Sequence, residues 1–309
     1  MKKILLATTL LAGTAGYATA AVTISGSARM GVVQQVVGAV AAGFTTTTDP
    51  LTGLPIVTAN VVSAGTVKAV LTSRVQIAFA ATGTTDGGLA FGASVRADQN
   101  GGNTDGTKNV DSTVFISGAF GKLTMGNVEA GAADELVGQI SGVGFTGLTG
   151  NSIDFLGGTA TAALYDYTSG PFSVALGVSQ PTAVAGSDKK SIAVKYAAAK
   201  YNVALGYETV TGNNQISLKA GMTFGAATLT VKAAKTALTG MTDTGLSLDY
   251  AVNPALKVTA FYTTHNAVAG TNAMGLGASY DLGGGASVVG GVVNNGTTTL
   301  ADLGVNMTF

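Results

Sequence analysis

The amino-acid sequence predicts an all-β fold: a closed, sixteen-stranded antiparallel barrel that crosses a membrane. Three observations predict it. Apolar and polar residues alternate with period two along most extended runs, as they do in a strand with two unlike faces. Only 10% of the 309 residues are charged while 46% are hydrophobic, so the polar rows consist mainly of Thr, Ser, Gly and Ala. An ordinary soluble surface needs about a quarter of its residues charged. Short Gly-, Pro- or Asn-bearing turns then divide the runs into hairpins.

The first twenty residues stand apart. Lys2 and Lys3 precede the apolar run 4–11, and Ala18-Thr19-Ala20 forms an A-x-A site, the pattern of a cleaved signal peptide over 1–20. The apolar run is too short for a bilayer-spanning helix, which takes about 20 residues. The mature chain, 21–309, then retains 14 basic and 16 acidic residues, a charge of −2. Such a balance excludes a strongly basic nucleic-acid binder. Zero cysteines exclude disulfides and zinc–thiolate sites, and the single histidine, His265, excludes any site needing two imidazoles.

The alternation runs from one end of the mature chain to the other. Thr23, Ser25, Ser27 and Arg29 share one parity, and Ile24, Ala28, Met30 and Val32 the other. The same reading holds for 74–81, 89–97, 172–178, 192–196, 203–208, 216–222 and 301–309. Arg29, Arg74, Arg96, Lys122, Asp166, Lys195, Glu208, Lys219, Lys232, Asp249 and Asp302 all fall on polar parities. A Lys or Arg facing lipid at mid-membrane costs about 2–4 kcal/mol, so a barrel must sort its charges in this way. A soluble β-sandwich also alternates, but its wet face is normally rich in Lys and Glu.

Hairpin turns are expected at 82–88, 118–121, 168–171, 197–202, 224–227, 251–255 and 282–285. They account for fourteen strands; the runs at 22–34 and 301–309 add two, which must pair to close the barrel. Seven short turns lie on one side and eight longer loops on the other. Tyr165, Tyr167, Phe172, Tyr196, Tyr201, Tyr207, Phe224, Tyr250, Tyr262 and Tyr280 lie near turns or strand ends, where interfacial aromatic belts belong. Sixteen strands enclose an aqueous channel rather than a side-chain core.

The signal-like start, SGSARMGV (25–32), GLAFGASVRAD (88–98), TVFISGAFGKLTMGN (113–127), GLGASYDLGGGASVVGG (275–291) and LGVNMTF ending in Phe309 resemble the general-diffusion porins of Gram-negative outer membranes. The similarity is greatest to the subgroup typical of alphaproteobacteria, including purple photosynthetic bacteria. It implies a homotrimer of barrels in the outer membrane, each a water-filled pore narrowed by an inward-folded third loop. Diffusion of ions and small hydrophilic solutes and contact with outer-membrane lipid are implied too, with the terminal Phe309 as an assembly mark.

The stretch of about 127–160 matches the position of that constriction loop. No Lys or Arg occurs between Leu123 and Asp188, yet Glu129, Asp134, Glu135 and Asp154 lie within the loop. Arg29, Arg74 and Arg96 lie on the lumen parity of the early strands. These residues suggest an eyelet, acidic loop against basic wall, with a transverse field across the narrow section; solvation of a loop surface is the plainer reading of the acids. A mature charge of only −2 predicts weak selectivity. The first loop, about 36–72, is long and apolar, and its placement is open.

Competing signals carry less. Asp98 and Asp105 bracket a short oxygen-rich run that suggests calcium, but its spacing departs from the EF-hand; otherwise no cofactor is expected. Ser187 to Lys190 fits S-x-x-K without supporting motifs, and no enzyme is expected. The alternative to a passive channel is a solute-specific outer-membrane channel or a surface adhesin barrel.

Overall fold

The computed structural model describes residues 21–37, 44–48, 55–59, 65–101, 110–148, 150–157, 161–181, 188–265 and 271–309. The expected signal segment, 1–20, lies outside the described residues.

The strands, in chain order, are β1 (Ala21–Val37), β2 (Phe44–Thr48), β3 (Pro55–Ala59), β4 (Thr66–Thr84), β5 (Ala90–Gly101), β6 (Val110–Gly118), β7 (Gly121–Asn127), β8 (Thr161–Ser169), β9 (Phe172–Ser179), β10 (Lys190–Ala197), β11 (Tyr201–Val210), β12 (Asn213–Phe224), β13 (Ala227–Thr236), β14 (Thr242–Ala251), β15 (Leu256–His265), β16 (Thr271–Gly283), β17 (Ala286–Asn294) and β18 (Thr299–Thr308). One short helix, α1 (Ala132–Leu136), lies between β7 and β8. Sixteen of the strands, β1 and β4 to β18, form one closed antiparallel barrel, while β2 and β3 pair as a separate hairpin.

Closure follows the predicted pairing of the two ends. β1 pairs with β18 through Arg29↔Asn306 and Val32↔Leu303, and Phe309 extends the seam. Its carbonyl accepts from the Gly26 N–H at 2.7 Å and its N–H donates to the Gly26 carbonyl at 3.0 Å. All seven expected hairpin turns join consecutive strands where the turn residues stand.

Two details differ from expectation. The connection between β11 and β12 is as tight as any turn, with only Thr211 and Gly212 between the strands and Gly212 at φ +81°, a conformation without steric cost only for glycine. The apolar first loop is shorter than 36–72, because residues 66–72 extend β4 in register with β1. Its apolar residues there are wall residues: Leu71 is 84% exposed on the surface.

The two parities have opposite fates. Val194, Leu205 and Leu218 stand side by side across β10, β11 and β12 and are 43–47% exposed. The row behind them, Ala193, Gly206 and Ser217, is covered, with Ala193 and Ser217 each 1% exposed. What covers it is the segment 128–157. Two buried apolar clusters form this way, one from Ala132, Leu164, Ala175 and Ala193, the other from Val33, Ile140, Val143, Leu148, Phe261, Ala273 and Val293. The core of the protein therefore lies between that segment and the polar-parity rows, and where the segment covers a row the wall itself turns apolar, at Val33, Phe261 and Val293.

Candidate functional site

The segment leaves the wall at a backbone turn that side chains disfavour. Glu129 and Ala130 have φ of +49° and +51°, in the left-handed region that non-glycine residues occupy at a cost of about 1–2 kcal/mol each. Burial holds them there: Ala130 is 0% exposed, its carbonyl accepts from the Ser191 hydroxyl, and the Ala132 N–H donates to the same hydroxyl at 3.0 Å.

From α1 onward the segment is tied to one strand after another. The Leu156 N–H donates to Glu208 Oε2 at 3.0 Å on β11, and Gln215 Nε2 on β12 donates to the Asp154 carbonyl at 3.0 Å. Lys219 Nζ donates to the Gln139 carbonyl at 3.3 Å. Lys232 Nζ, on β13, donates to Gln139 Oε1 at 2.7 Å and to the Ile153 carbonyl at 2.8 Å; it also lies 3.9 Å from the Phe155 ring centroid. On β14 the Ser247 hydroxyl accepts from the Ser141 N–H at 3.1 Å, and Asp249 accepts from the Ser141 hydroxyl. The Thr263 hydroxyl on β15 donates to the Gly150 carbonyl, with His265 Nε2 3.4 Å from the same oxygen. Asp302 Oδ2 on β18 accepts from the N–H and hydroxyl of Thr146 at 2.9 and 2.6 Å. Within the segment, Gln139 pairs with both the N–H and the carbonyl of Ile153, each at 3.0 Å.

Glycines make this close seating sterically possible. A Cβ at Gly206 would stand 2.7 Å from Ala133 Cβ, and one at Gly304 would stand 2.8 Å from the Phe145 ring.

The predicted site residues separate into three environments. Arg29 donates through Nη1 to the Phe145 and Thr146 carbonyls, both at 3.3 Å, and stands directly opposite Arg74 in the β1–β4 ladder. Arg96, 44% exposed, is held by Asp98 at 2.8 Å and by Asp111, so its charge is compensated on the wall itself. Glu129, Asp134 and Asp154 come together: with Asp111, Asn127 and Lys189 they line one open cavity of about 640 Å³. Glu135 is exposed on α1 and is not among the residues lining that cavity. Asp98 also accepts from Gln76 Nε2 at 2.8 Å, and Asp105 lies outside the described residues. Among the described residues no group of three or more His, Asp or Glu side chains is placed to hold a metal ion. Phe309 is 62% exposed, and its ring packs over Gly26, where a Cβ would meet it at 2.6 Å.

Sequence reasoning missed the residues that hold the segment. Glu208, Lys219, Lys232 and Asp302 are on the expected parity, yet nothing local marks them as anchors. The available signal was the absence of Lys and Arg over 124–187, which obliges the segment's carbonyls and carboxylates to draw their cations from elsewhere. Lys189 and Gln139 had no such signal.

Comparison with known proteins agrees with this architecture. A family model described as Gram-negative porin matches residues 7–300. The chain is 34% identical over 284 residues to the porin of Rhodobacter capsulatus, an alignment covering 77% of this chain and 93% of that one. A five-substitution variant of Rh. blastica porin has the same fold, with a TM-score of 0.74 at 20% identity over 93% of this chain and 100% of that one. A three-substitution variant of that porin gives 0.73 at 21% identity with the same coverage. The closed sixteen-stranded barrel, the match over most of its length and the relationship to the Rhodobacter capsulatus protein place the chain in the Gram-negative porin family, the diffusion channels of the outer membrane.

Proposed function

We propose that the segment 128–157 lies within the barrel and narrows a water-filled channel that passes ions and small hydrophilic solutes with weak selectivity. The observation that carries the reading is the one-sided anchoring of the segment. Its ties run along β10 to β15, β18 and β1, which leaves passage beside β4 to β7. Acidic groups gather at the cavity of Glu129, Asp134 and Asp154, whereas Arg29 and Arg74 stand together on β1 and β4. That separation supports a field across the opening, with Arg96 contributing less because Asp98 and Asp111 offset it.

The test is single-channel recording of the parent and of an Arg29→Ala, Arg74→Ala, Arg96→Ala triple variant in a planar bilayer. The variant is expected to move toward cation preference with altered conductance. Unchanged conductance and unchanged ion preference would refute the eyelet role. Liposome swelling in graded sugars, with a cut-off that tracks solute size, tests passive diffusion. Assembly as a homotrimer rests on the family resemblance, and a detergent-corrected mass of three chains by light scattering is the expected result.

A further inference from the structure

The channel wall carries two cations that the eyelet reading treats only as field sources. Arg29 and Arg74 are direct partners in the β1–β4 ladder and share a polar-parity row. Side chains so placed have Cβ atoms about 4.5–5.5 Å apart, and like charges there repel. In a chain with only 10% charged residues, such a pair is an expensive arrangement unless something offsets it.

Nearby carboxylates, Asp302 for Arg29 and Asp98 for Arg74, offset it only at a distance. Among the described residues neither guanidinium forms an ion pair, and the Nε of each is buried without a hydrogen-bond partner. Arg29 is anchored through Nη1 by two neutral carbonyls, those of Phe145 and Thr146. The carboxylate on the neighbouring β18, Asp302, accepts through Oδ2 from the N–H and hydroxyl of Thr146, and its Oδ1 is buried without a hydrogen-bond partner, so it eases the charge of Arg29 from a distance without gripping it. Arg96 shows what a compensated arginine looks like in this wall, gripped by Asp98 and Asp111. The pair at Arg29 and Arg74 thus combines adjacent positive charges, no ion pair among the described residues and half-buried positions.

We propose that Arg29 and Arg74 form a binding subsite for a small oxyanion of the phosphate class, bridged between the two guanidinium groups. A planar fork of N–H donors matches the spacing of oxygens on phosphate or carboxylate and binds them bidentately. A tetrahedral dianion reaches both forks and cancels both charges, whereas acetate cancels one and chloride offers no second acceptor. The subsite deepens the channel reading and rests on it, because the row must face the aqueous path for a dissolved anion to arrive. The same placement distinguishes the source: lipid phosphates meet the opposite, apolar parity.

The experiment is titration of the folded, detergent-solubilised protein with inorganic phosphate, followed by phosphorus NMR line broadening, with acetate and chloride as competitors. Saturable binding is expected, displaced by acetate weakly and by chloride least. Arg74→Gln should weaken it by about tenfold or more, since charged hydrogen bonds are worth about 1.5–3 kcal/mol. Arg74→Lys, which keeps the charge but not the fork, should lie between. Lys257→Gln, which removes a cation from β15 far along the ladder, should bind like the parent and so separates a local site from net charge. Circular dichroism confirms that each variant keeps its strands. No saturable binding by the parent, or equal binding by Arg74→Gln, overturns the proposal. Conductance in potassium chloride is recorded separately: its absence would refute the channel reading, while normal conductance without phosphate binding would refute the subsite alone.

Discussion

Lys189 Nζ stands 2.6 Å from Glu208 Oε1, and the two side chains are only 4% and 1% exposed. The other oxygen of Glu208 accepts from the Leu156 N–H at 3.0 Å. One carboxylate therefore joins the entry to β10, the strand β11 and the far end of the 128–157 segment.

Glu208→Ala strips the partner from a buried ammonium and orphans an N–H. Breaking a buried pair from one side costs about 3–5 kcal/mol, so the unfolding midpoint in denaturant should fall markedly, whereas Glu208→Gln, which keeps an acceptor for Leu156, should fall less. Equal midpoints for all three proteins would show that the pair anchors nothing.

Lys232 is 2% exposed and joins Gln139 to Ile153 by two hydrogen bonds of 2.7 and 2.8 Å. Lys232→Met keeps most of the volume but leaves the Ile153 carbonyl with the Gln139 amide alone. A loss of about 1–3 kcal/mol is expected, together with greater open-channel current noise as the segment loosens. A quiet channel with parental stability would count against the clamp.

Gly206 faces Ala133 so closely that a Cβ would lie 2.7 Å from Ala133 Cβ and 3.0 Å from Val137. Gly206→Val should destabilise by about 1–3 kcal/mol through overpacking. Adding Ala133→Gly removes one of the colliding atoms and should restore part of the loss, a non-additivity that thermal melts of the four proteins would reveal.

Phe309 makes two backbone hydrogen bonds to Gly26, at 2.7 and 3.0 Å, on the closing seam. Deleting it removes both and the ring; Phe309→Ala removes the ring alone. Refolding yield into detergent should fall for both and further for the deletion, and identical yields for the two variants would mean that the backbone pairing is immaterial.

Much of the fold was legible because a strand's alternation is a local property. Ile24, Met30 and Val32 against Thr23, Ser25 and Arg29 declare two faces without reference to any other strand, and the turns at 118–121 or 224–227 declare where the chain reverses. The candidate site was legible only in part. Arg29 and Arg96 share a parity rule and look equivalent in sequence, yet Arg96↔Asp111 is a register pair and Arg29↔Arg74 is another. One arginine is neutralised and the other is doubled by what its neighbour happens to be.

What the sequence by itself determined is the barrel: which residues face outward, where hairpins turn, and that the first and last strands must meet. Only the tertiary structure decided which stretches of the polar-parity rows meet the 128–157 segment, why Val33, Phe261 and Val293 are apolar there, and which lysines hold the segment down. The physical reason is range. Period-two patterning acts between neighbours in the chain, whereas Lys232 and Gln139, or Asp302 and Thr146, are brought together across 93 and 156 residues only once the sheet has closed and its register is set.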